Sequence, residues 1–146
     1  MKFAYDTNIF IGRKLTTIPD QLYVCSIVLS ELQVGAADAS QMKRLEVLRI
    51  AAEKNGRLLV PTKEDWWETG KLLNRLAAFA RRENHGAAPR FSPEEKVRLF
   101  NDALLAVSCR RAGITLVTDN FKDFERIALI SRVKIQTGDE FFAEES

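Results

Sequence analysis

The sequence of 146 residues has few of the residues that mark several special classes of protein. It contains two cysteines, one histidine, seven glycines and four prolines. Cys25 and Cys109 stand apart in apolar stretches, so we expect buried thiols in a reducing compartment and no Cys–His zinc site. The low glycine and proline content, with 46% hydrophobic residues, excludes collagen-like and disordered chains. Length and composition predict one domain, residues 1–146.

Long apolar runs are also absent from the sequence. No run of 18 apolar residues is present, and the first residues reach Asp6 without the apolar segment of a secretion signal. We therefore expect a cytoplasmic protein with no membrane association. The chain as a whole has no large excess of either charge, because it contains 22 basic and 20 acidic residues. Segment 71–98 is the exception, because its seven basic residues outnumber three acidic ones and predict a positive surface.

Short apolar segments alternate with stretches of helical periodicity. This pattern is typical of an α/β protein, and it predicts a three-layer α/β/α domain around a mainly parallel sheet of about four to five strands. The predicted strands cover 2–5, 22–25, 57–60, 114–117 and 133–135. Predicted helix boundaries come from capping residues. These are Thr7 or Asn8, Ser26, Asn55–Gly56 after a helix over 40–54, Thr62 before a helix to 83, and Ser92–Pro93 before a helix to 112 that stops at Gly113.

Three further local expectations concern packing and order. On the helix from Thr62, the residues at helical spacing that begin with Trp66 predict a buried stripe. Segment 84–92 reads as a loop that could be mobile. The acidic tail over 143–146 is expected to fray.

Four acidic residues occupy positions where a solvated carboxylate is unusual. Asp6 and Asp119 each follow an apolar strand, so both are expected at the carboxyl edge of a parallel sheet, where open α/β sheets bind ligands. Glu31 and Asp102 each lie in an otherwise apolar helix, and Arg98 is the only basic residue within one turn of Asp102.

Each acid taken alone also has an ordinary structural explanation. Asp6 and Asp119 could be turn or capping residues, Glu31 could reach solvent from the end of an apolar face, and Asp102 could pair with Arg98. The joint arrangement is harder to explain in that way. Unpaired buried carboxylates are costly, and a shared divalent cation would satisfy all four. Oxygen ligands without His or Cys favour Mg²⁺ or Mn²⁺, and such ions support phosphodiester cleavage.

At these residues the sequence resembles the PIN domain family and, within it, the VapC-like toxins of bacterial type II toxin–antitoxin pairs. The motifs occur in order over nearly the whole chain: Asp6-Thr7-Asn8 after a strand, SIVLSELQVG with Glu31, NDALLAVSCRRAG with Asp102, and TDNFKDF after the strand that ends at Val117. The resemblance implies a PIN-like fold and a Mg²⁺- or Mn²⁺-dependent endoribonuclease. It also implies that Asp6, Glu31 and Asp102 are the central acidic ligands.

The resemblance leaves the fourth acid open. PIN enzymes generally have an acidic residue at the position of Asn120, whereas many VapC-like members have Asn there and an acid nearby. Asp119 is favoured here because it follows the strand directly, and Asp123 is the reserve. Thr118 and Asn8 are candidates for orienting the ligands or water.

The resemblance also implies partners. These are an RNA substrate, a second copy of the chain in a homodimer, and a cognate antitoxin whose carboxyl-terminal segment enters the acidic groove. Exposed apolar side chains would be needed for the protein contacts, and Leu29, Leu32, Trp66 and Trp67 are candidates, although we expect Trp67 to pack under a neighbouring helix. Five cations could hold RNA phosphates, or could simply be solvated: Arg81, Arg82, Arg90, Lys96 and Arg98.

Three other functions remain compatible with parts of the sequence. A receiver-like phosphoacceptor domain also has acids at strand ends, but it has no use for Glu31. A PIN-fold scaffold could bind RNA or protein without cleaving, and a deoxyribonuclease would use the same acids.

Overall fold

A computed structural model of the chain describes residues 1–87 and 90–145. Five strands and seven helices alternate along it. The strands are β1 (Phe3–Tyr5), β2 (Leu22–Cys25), β3 (Leu58–Leu59), β4 (Thr115–Thr118) and β5 (Ile135–Thr137). The helices are α1 (Thr7–Gly12), α2 (Ser26–Val34), α3 (Ala39–Lys54), α4 (Lys63–Glu83), α5 (Pro93–Ala112), α6 (Phe121–Ser131) and α7 (Gly138–Glu145).

The five strands form one parallel sheet in the order β3-β2-β1-β4-β5. The chain moves outward from β1 to β3 on one side, and then crosses over to β4 and β5 on the other. The direction of winding therefore reverses between β1 and β4. In open α/β sheets the crevice beyond the carboxyl ends of two such strands is the usual ligand site. The fold thus singles out the residues that directly follow Tyr5 and Thr118.

The two faces of the sheet carry separate apolar cores. One contains Ala4 and Leu116 with residues from α2, α4, α5 and α6. The other contains Phe3, Tyr5 and Val117 with residues from α1, α3 and α7. Alternating strand residues thus pack on opposite layers, as the pleat of a strand requires. The predicted three-layer α/β/α arrangement and the parallel sheet are confirmed.

Local capping signals were accurate at the two longest helices. The side chains of Thr62 and Ser92 each accept a hydrogen bond from the backbone N–H three residues on. In turn, the Asp65 and Glu95 carboxylates accept from the backbone N–H of Thr62 and Ser92. Gly113 ends α5 in the left-handed conformation, with φ of 68°. Gly56 likewise has a positive φ after the Asn55 cap of α3.

Two predicted caps were misplaced by one residue. Asp6, not Thr7 or Asn8, caps α1, because its carboxylate accepts from the Thr7 N–H. Cys25 occupies the cap position of α2 without a side-chain hydrogen bond, and Ser26 is the first helical residue. Helix α2 is therefore held by burial of Ile27 and Val28 more than by its cap.

The carboxyl-terminal prediction was wrong. The last strand begins at Ile135, two residues later than expected, and the tail forms α7 instead of fraying. Phe141 explains the difference, because its side chain is only 1% exposed and packs with Phe3 and Tyr5 on the second face of the sheet. Ser146 lies outside the described residues.

The predicted stripe on α4 was also wrong in part. Asp65, Thr69 and Leu72 are the buried residues of this helix, whereas Trp66 and Trp67 are 54% and 70% exposed. Asp65 can be buried because Arg111 binds both of its carboxylate oxygens. In the loop predicted over 84–92, residues 88 and 89 lie outside the described part of the chain. Within the described part, no helix is long and apolar enough to cross a membrane.

Candidate metal and nuclease site

Asp6 lies at the carboxyl end of β1, at the reversal in the sheet. It is 5% exposed, and two hydrogen bonds fix its carboxylate: one from the Thr7 N–H and one from the Thr118 hydroxyl, both of 2.8 Å. Burial raises the pKa of Asp6, while the bond from Thr118 opposes that effect. Thr118, itself fully buried at the end of β4, therefore joins the two strands at the site.

Glu31 comes to the same place from α2. Its carboxylate accepts a hydrogen bond of 2.9 Å from the Thr7 hydroxyl, and the side chain is half-buried. Thr7 thus contacts Asp6 through its backbone and Glu31 through its side chain. The Glu31 charge is one of the causes that raise the pKa of Asp6. The Asp-Thr-Asn motif therefore connects two acids that are 25 residues apart in sequence.

Asp102 projects from the middle of α5 and is 8% exposed. Burial, together with the negative charges of Asp6, Glu31 and Asp123, raises its pKa to about 8. Arg98 lowers the pKa through its positive charge, but among the described residues it forms no ion pair with Asp102. Asp6, Glu31 and Asp123 are therefore close enough to Asp102 to oppose its ionisation.

The two candidates for the fourth acid have different surroundings. Asp119 forms a two-bond ion pair with Arg13, at 2.7 and 2.8 Å, and this pair holds the pKa of Asp119 below its usual range. Asp123, on the first turn of α6, accepts a hydrogen bond of 2.6 Å from the Asn120 amide. The negative charge of Asp123 helps to raise the pKa of Asp102.

The hydroxyl and amide side chains predicted beside the acids connect the strand ends. Asn8 accepts from the Asp119 N–H at 3.1 Å and donates to the Thr118 hydroxyl at 3.4 Å. The Asn120 N–H donates to the same hydroxyl at 2.9 Å. Thr118 thus has contacts with Asp6, Asn8 and Asn120, which fix the turn between β4 and α6 relative to β1.

The donor set suits a hard divalent cation. Asp6, Glu31, Asp102 and Asp123 offer only oxygen atoms, which Mg²⁺ and Mn²⁺ prefer, and a cation would offset their mutual repulsion. Within residues 1–87 and 90–145, no three His, Cys, Asp or Glu side chains already converge into a metal cluster. The carboxylates therefore fit such an ion by chemistry and charge, and they would have to adjust their side chains to bind it.

A cavity of about 600 Å³ opens beside Asp102. Arg98 is the one predicted RNA-binding residue that lines it, together with Lys122 and Arg126 of α6. Lys122 and Arg126 were not predicted as RNA-binding residues from the sequence. The signal was their spacing of four residues on the helix after the TDN motif, which places them on one helical face. Lys96 lines an adjoining apolar cavity of about 380 Å³, and Arg81, Arg82 and Arg90 are exposed farther along the surface.

A family model for the PIN domain matches residues 5–130. Among solved structures, VapBC-1 from nontypeable Haemophilus influenzae is 21% identical with a TM-score of 0.58. VapBC2 from Rickettsia felis, bound to a DNA fragment from their promoter, is 23% identical with a TM-score of 0.57. DNA-bound VapBC from Salmonella typhimurium is 20% identical with a TM-score of 0.58.

Each of the three alignments covers 94% of this chain and 98% of the other. Identities this low show a common fold. A search of curated proteins found no match. Because the family model spans most of the sequence and contains all the acids described above, the chain belongs to the PIN domain family.

Proposed function

We propose that this PIN domain is a Mg²⁺- or Mn²⁺-dependent endoribonuclease and the toxin of a type II toxin–antitoxin pair, acting in the cytoplasm. The observation that carries the proposal is a group of four carboxylates, Asp6, Glu31, Asp102 and Asp123, in which the charges of the other three act on Asp102. One of them, Asp102, is buried with a pKa of about 8 among like charges. Such an arrangement is unfavourable for folding, so it indicates selection for a function. PIN-domain membership also removes support from the receiver-like alternative.

The metal ligands we propose are Asp6, Glu31 and Asp102, with Asp123 as the fourth acid. Asp123 is preferred to Asp119 because its charge acts on Asp102. The Asp119 carboxylate is instead held by Arg13 through two hydrogen bonds. Replacing Asp123 should therefore reduce cleavage more than replacing Asp119, and initial rates of Asp123→Asn and Asp119→Asn would decide between them.

When bound, Mg²⁺ or Mn²⁺ would lower the pKa of the attacking water and place positive charge beside the phosphate oxygens. The chain contributes the positioning. Thr118 and Thr7 hold the Asp6 and Glu31 carboxylates in place. Glu31 is only half-buried, whereas Asp102 is 8% exposed. We therefore assign Glu31 as the carboxylate that orients the attacking water and accepts its proton.

RNA is proposed to enter through the cavity beside Asp102. Arg98 and Lys122 are exposed cations that line it, and Arg126 shares its charge with Glu83 through an ion pair of 2.9 Å. Phosphate contacts of this kind contribute affinity without reading sequence. They support binding of a polyanion beside the acids, and the choice of ribose over deoxyribose is part of the proposal.

The antitoxin partner is proposed from the resemblance to VapC-like toxins and from the fold shared with the solved VapBC structures. Of the predicted contact residues, Leu29 is buried and Leu32 half-buried in the monomer, while Trp66 and Trp67 are exposed. The two tryptophans are therefore the better candidates for contact with an antitoxin or a second copy of the chain. Light scattering of the purified chain would test the proposed homodimer.

The decisive test is cleavage of a mixed pool of tRNA and structured RNA by purified, antitoxin-free protein, with Mn²⁺ or Mg²⁺ and with EDTA. Asp102→Asn is the site variant. Asp20→Asn is the matched control, because Asp20 is exposed and its described hydrogen bond is accepted by the backbone. A DNA duplex and a single-stranded DNA of the same length should be assayed beside the RNA.

Metal-dependent RNA cleavage by wild type and Asp20→Asn, lost in Asp102→Asn, would support the proposal. Cleavage of DNA alone would replace the ribonuclease with a deoxyribonuclease. Binding of RNA and Mn²⁺ without cleavage would favour a PIN-fold scaffold. Equal cleavage by wild type and Asp102→Asn would reject the site.

A further inference from the structure

Arg13 makes an unusually dense set of contacts just after α1. Its guanidinium donates to both oxygens of Asp119, at 2.7 and 2.8 Å, and to Asp139 at 2.8 Å. Its side chain is 26% exposed, so it is more enclosed than the partners of an ordinary surface ion pair. A paired guanidinium fork fixes the plane of the carboxylate as well as its position.

The carboxyl-terminal helix completes this contact. The Phe142 ring lies 5.1 Å from the Arg13 guanidinium carbon, and Phe141 anchors α7 in the core. Gly138 passes so close to Arg13 and Asp119 that an added Cβ would collide with both side chains. Residues near both ends of the chain therefore contact the Asp119 carboxylate, whose side chain is 33% exposed.

Asp119 is also connected to the proposed metal ligands. Its backbone N–H donates to Asn8 at 3.1 Å, in the motif that begins with Asp6. The preceding residue, Thr118, donates to Asp6 at 2.8 Å and accepts from the Asn120 N–H at 2.9 Å. The Asp119 backbone and its neighbour Thr118 thus belong to the same hydrogen-bond network as Asp6.

We infer that Arg13 is a positioning residue: with α7 it holds the Asp119 carboxylate away from the acid site formed by Asp6, Glu31, Asp102 and Asp123. This inference rests on the proposed function. Without Arg13, the Asp119 carboxylate would lose its guanidinium partner while following directly on Thr118, which contacts Asp6. It would be available to bind the cation in an arrangement that does not support cleavage.

The inference predicts a pattern that simple loss of stability would not produce. Arg13→Gln should lower kcat for RNA cleavage by about tenfold or more with little change in KM. The same variant should bind Mn²⁺ about threefold or more tightly, because a negative charge has been released. Adding Asp119→Asn to Arg13→Gln should return both quantities toward wild type, since the free carboxylate is then gone.

The control is Arg49→Gln, which breaks an exposed ion pair with Glu53 on α3 and should change neither quantity. Mn²⁺ affinity is measured by electron paramagnetic resonance. Cleavage is measured well below the lowest melting temperature among wild type and the variants. Wild-type rates and affinity in Arg13→Gln would overturn the inference. So would a double variant as impaired as Arg13→Gln, or a fall in rate accompanied by weaker Mn²⁺ binding.

The affinity measurement separates this inference from the proposed function. If wild type binds Mn²⁺ but cleaves no RNA, the nuclease proposal fails, and the order of Mn²⁺ affinities alone decides the role of Arg13. The order that supports it is Arg13→Gln tightest, with wild type and the double variant similar. A wild-type chain that binds no Mn²⁺ would overturn both proposals.

Discussion

Asp102→Asn should make the metal-free protein more stable while abolishing cleavage. The wild-type carboxylate is buried beside Asp6, Glu31 and Asp123, and these surroundings raise its pKa from 3.8 to about 8. An amide has nearly the same shape and carries no charge. The variant therefore removes the unfavourable ionisation without leaving a cavity.

The sign and size follow from the pKa shift. Below pH 3.8 Asp102 is protonated in both the folded and the unfolded state, so it does not lower the unfolding free energy of wild type. Between 3.8 and about 8 the unfolded chain loses a proton that the folded chain keeps, so wild-type stability falls as pH rises, and above that range the penalty is constant. About four pKa units correspond to on the order of 5 kcal/mol.

The assay is urea denaturation in EDTA at about pH 5, 7 and 9. The gain in unfolding free energy for Asp102→Asn should rise over this range to several kcal/mol. Added Mn²⁺ should then stabilise wild type and not the variant. A variant no more stable than wild type at the highest pH would refute the reasoning, and so would a gain independent of pH.

Asp119→Asn provides a control of opposite sign. Its hydrogen bonds with Arg13 lower the pKa of Asp119, so the ionised carboxylate stabilises the fold. That contribution is present above pH 3.8 and disappears as pH falls through the lowered pKa. The variant should therefore be less stable than wild type at neutral pH and approach it in acid.

Three more predictions test other parts of the structure. Phe141→Ala should lower the unfolding free energy by about 3–5 kcal/mol, measured by urea denaturation, because it leaves a cavity where a ring that is 1% exposed now packs. Thr118→Val should reduce kcat for RNA cleavage about tenfold with the fold retained, since Asp6 loses a hydrogen bond of 2.8 Å. Lys122→Gln in the Asp102→Asn background should reduce the slope of log affinity for RNA against log salt by about one, measured by filter binding.

The features predicted best from sequence depend on nearby residues. Thr62 and Ser92 cap their helices through groups three positions away, and Gly113 adopts its positive φ within its own turn. The strand ends that carry Asp6 and Asp119 were placed correctly because short apolar runs limit where a parallel strand can stop. Such signals can be read from residues close together in sequence.

The errors arose where distant residues decide the outcome. Trp66 looked like a core residue of α4, yet Asp65 takes the buried face because Arg111, 46 positions away, neutralises it. The tail looked frayed because it is acidic, yet Phe141 packs on Phe3 at the other end of the chain. Neither pairing leaves a periodic pattern in the sequence.

The proposed choice of Asp123 over Asp119 also depends on distant residues. Asp119 follows its strand directly and is the better candidate when only local position is considered. The structure adds Arg13, 106 residues earlier, whose guanidinium holds the carboxylate with two bonds. Asp123 is one helical turn farther from the strand, yet its charge acts on Asp102 and the Asn120 amide holds it. Position at a strand end therefore predicts the edge of the sheet where the acids gather, and the pairing of each carboxylate with distant cations is our reason for proposing Asp123 as the fourth ligand.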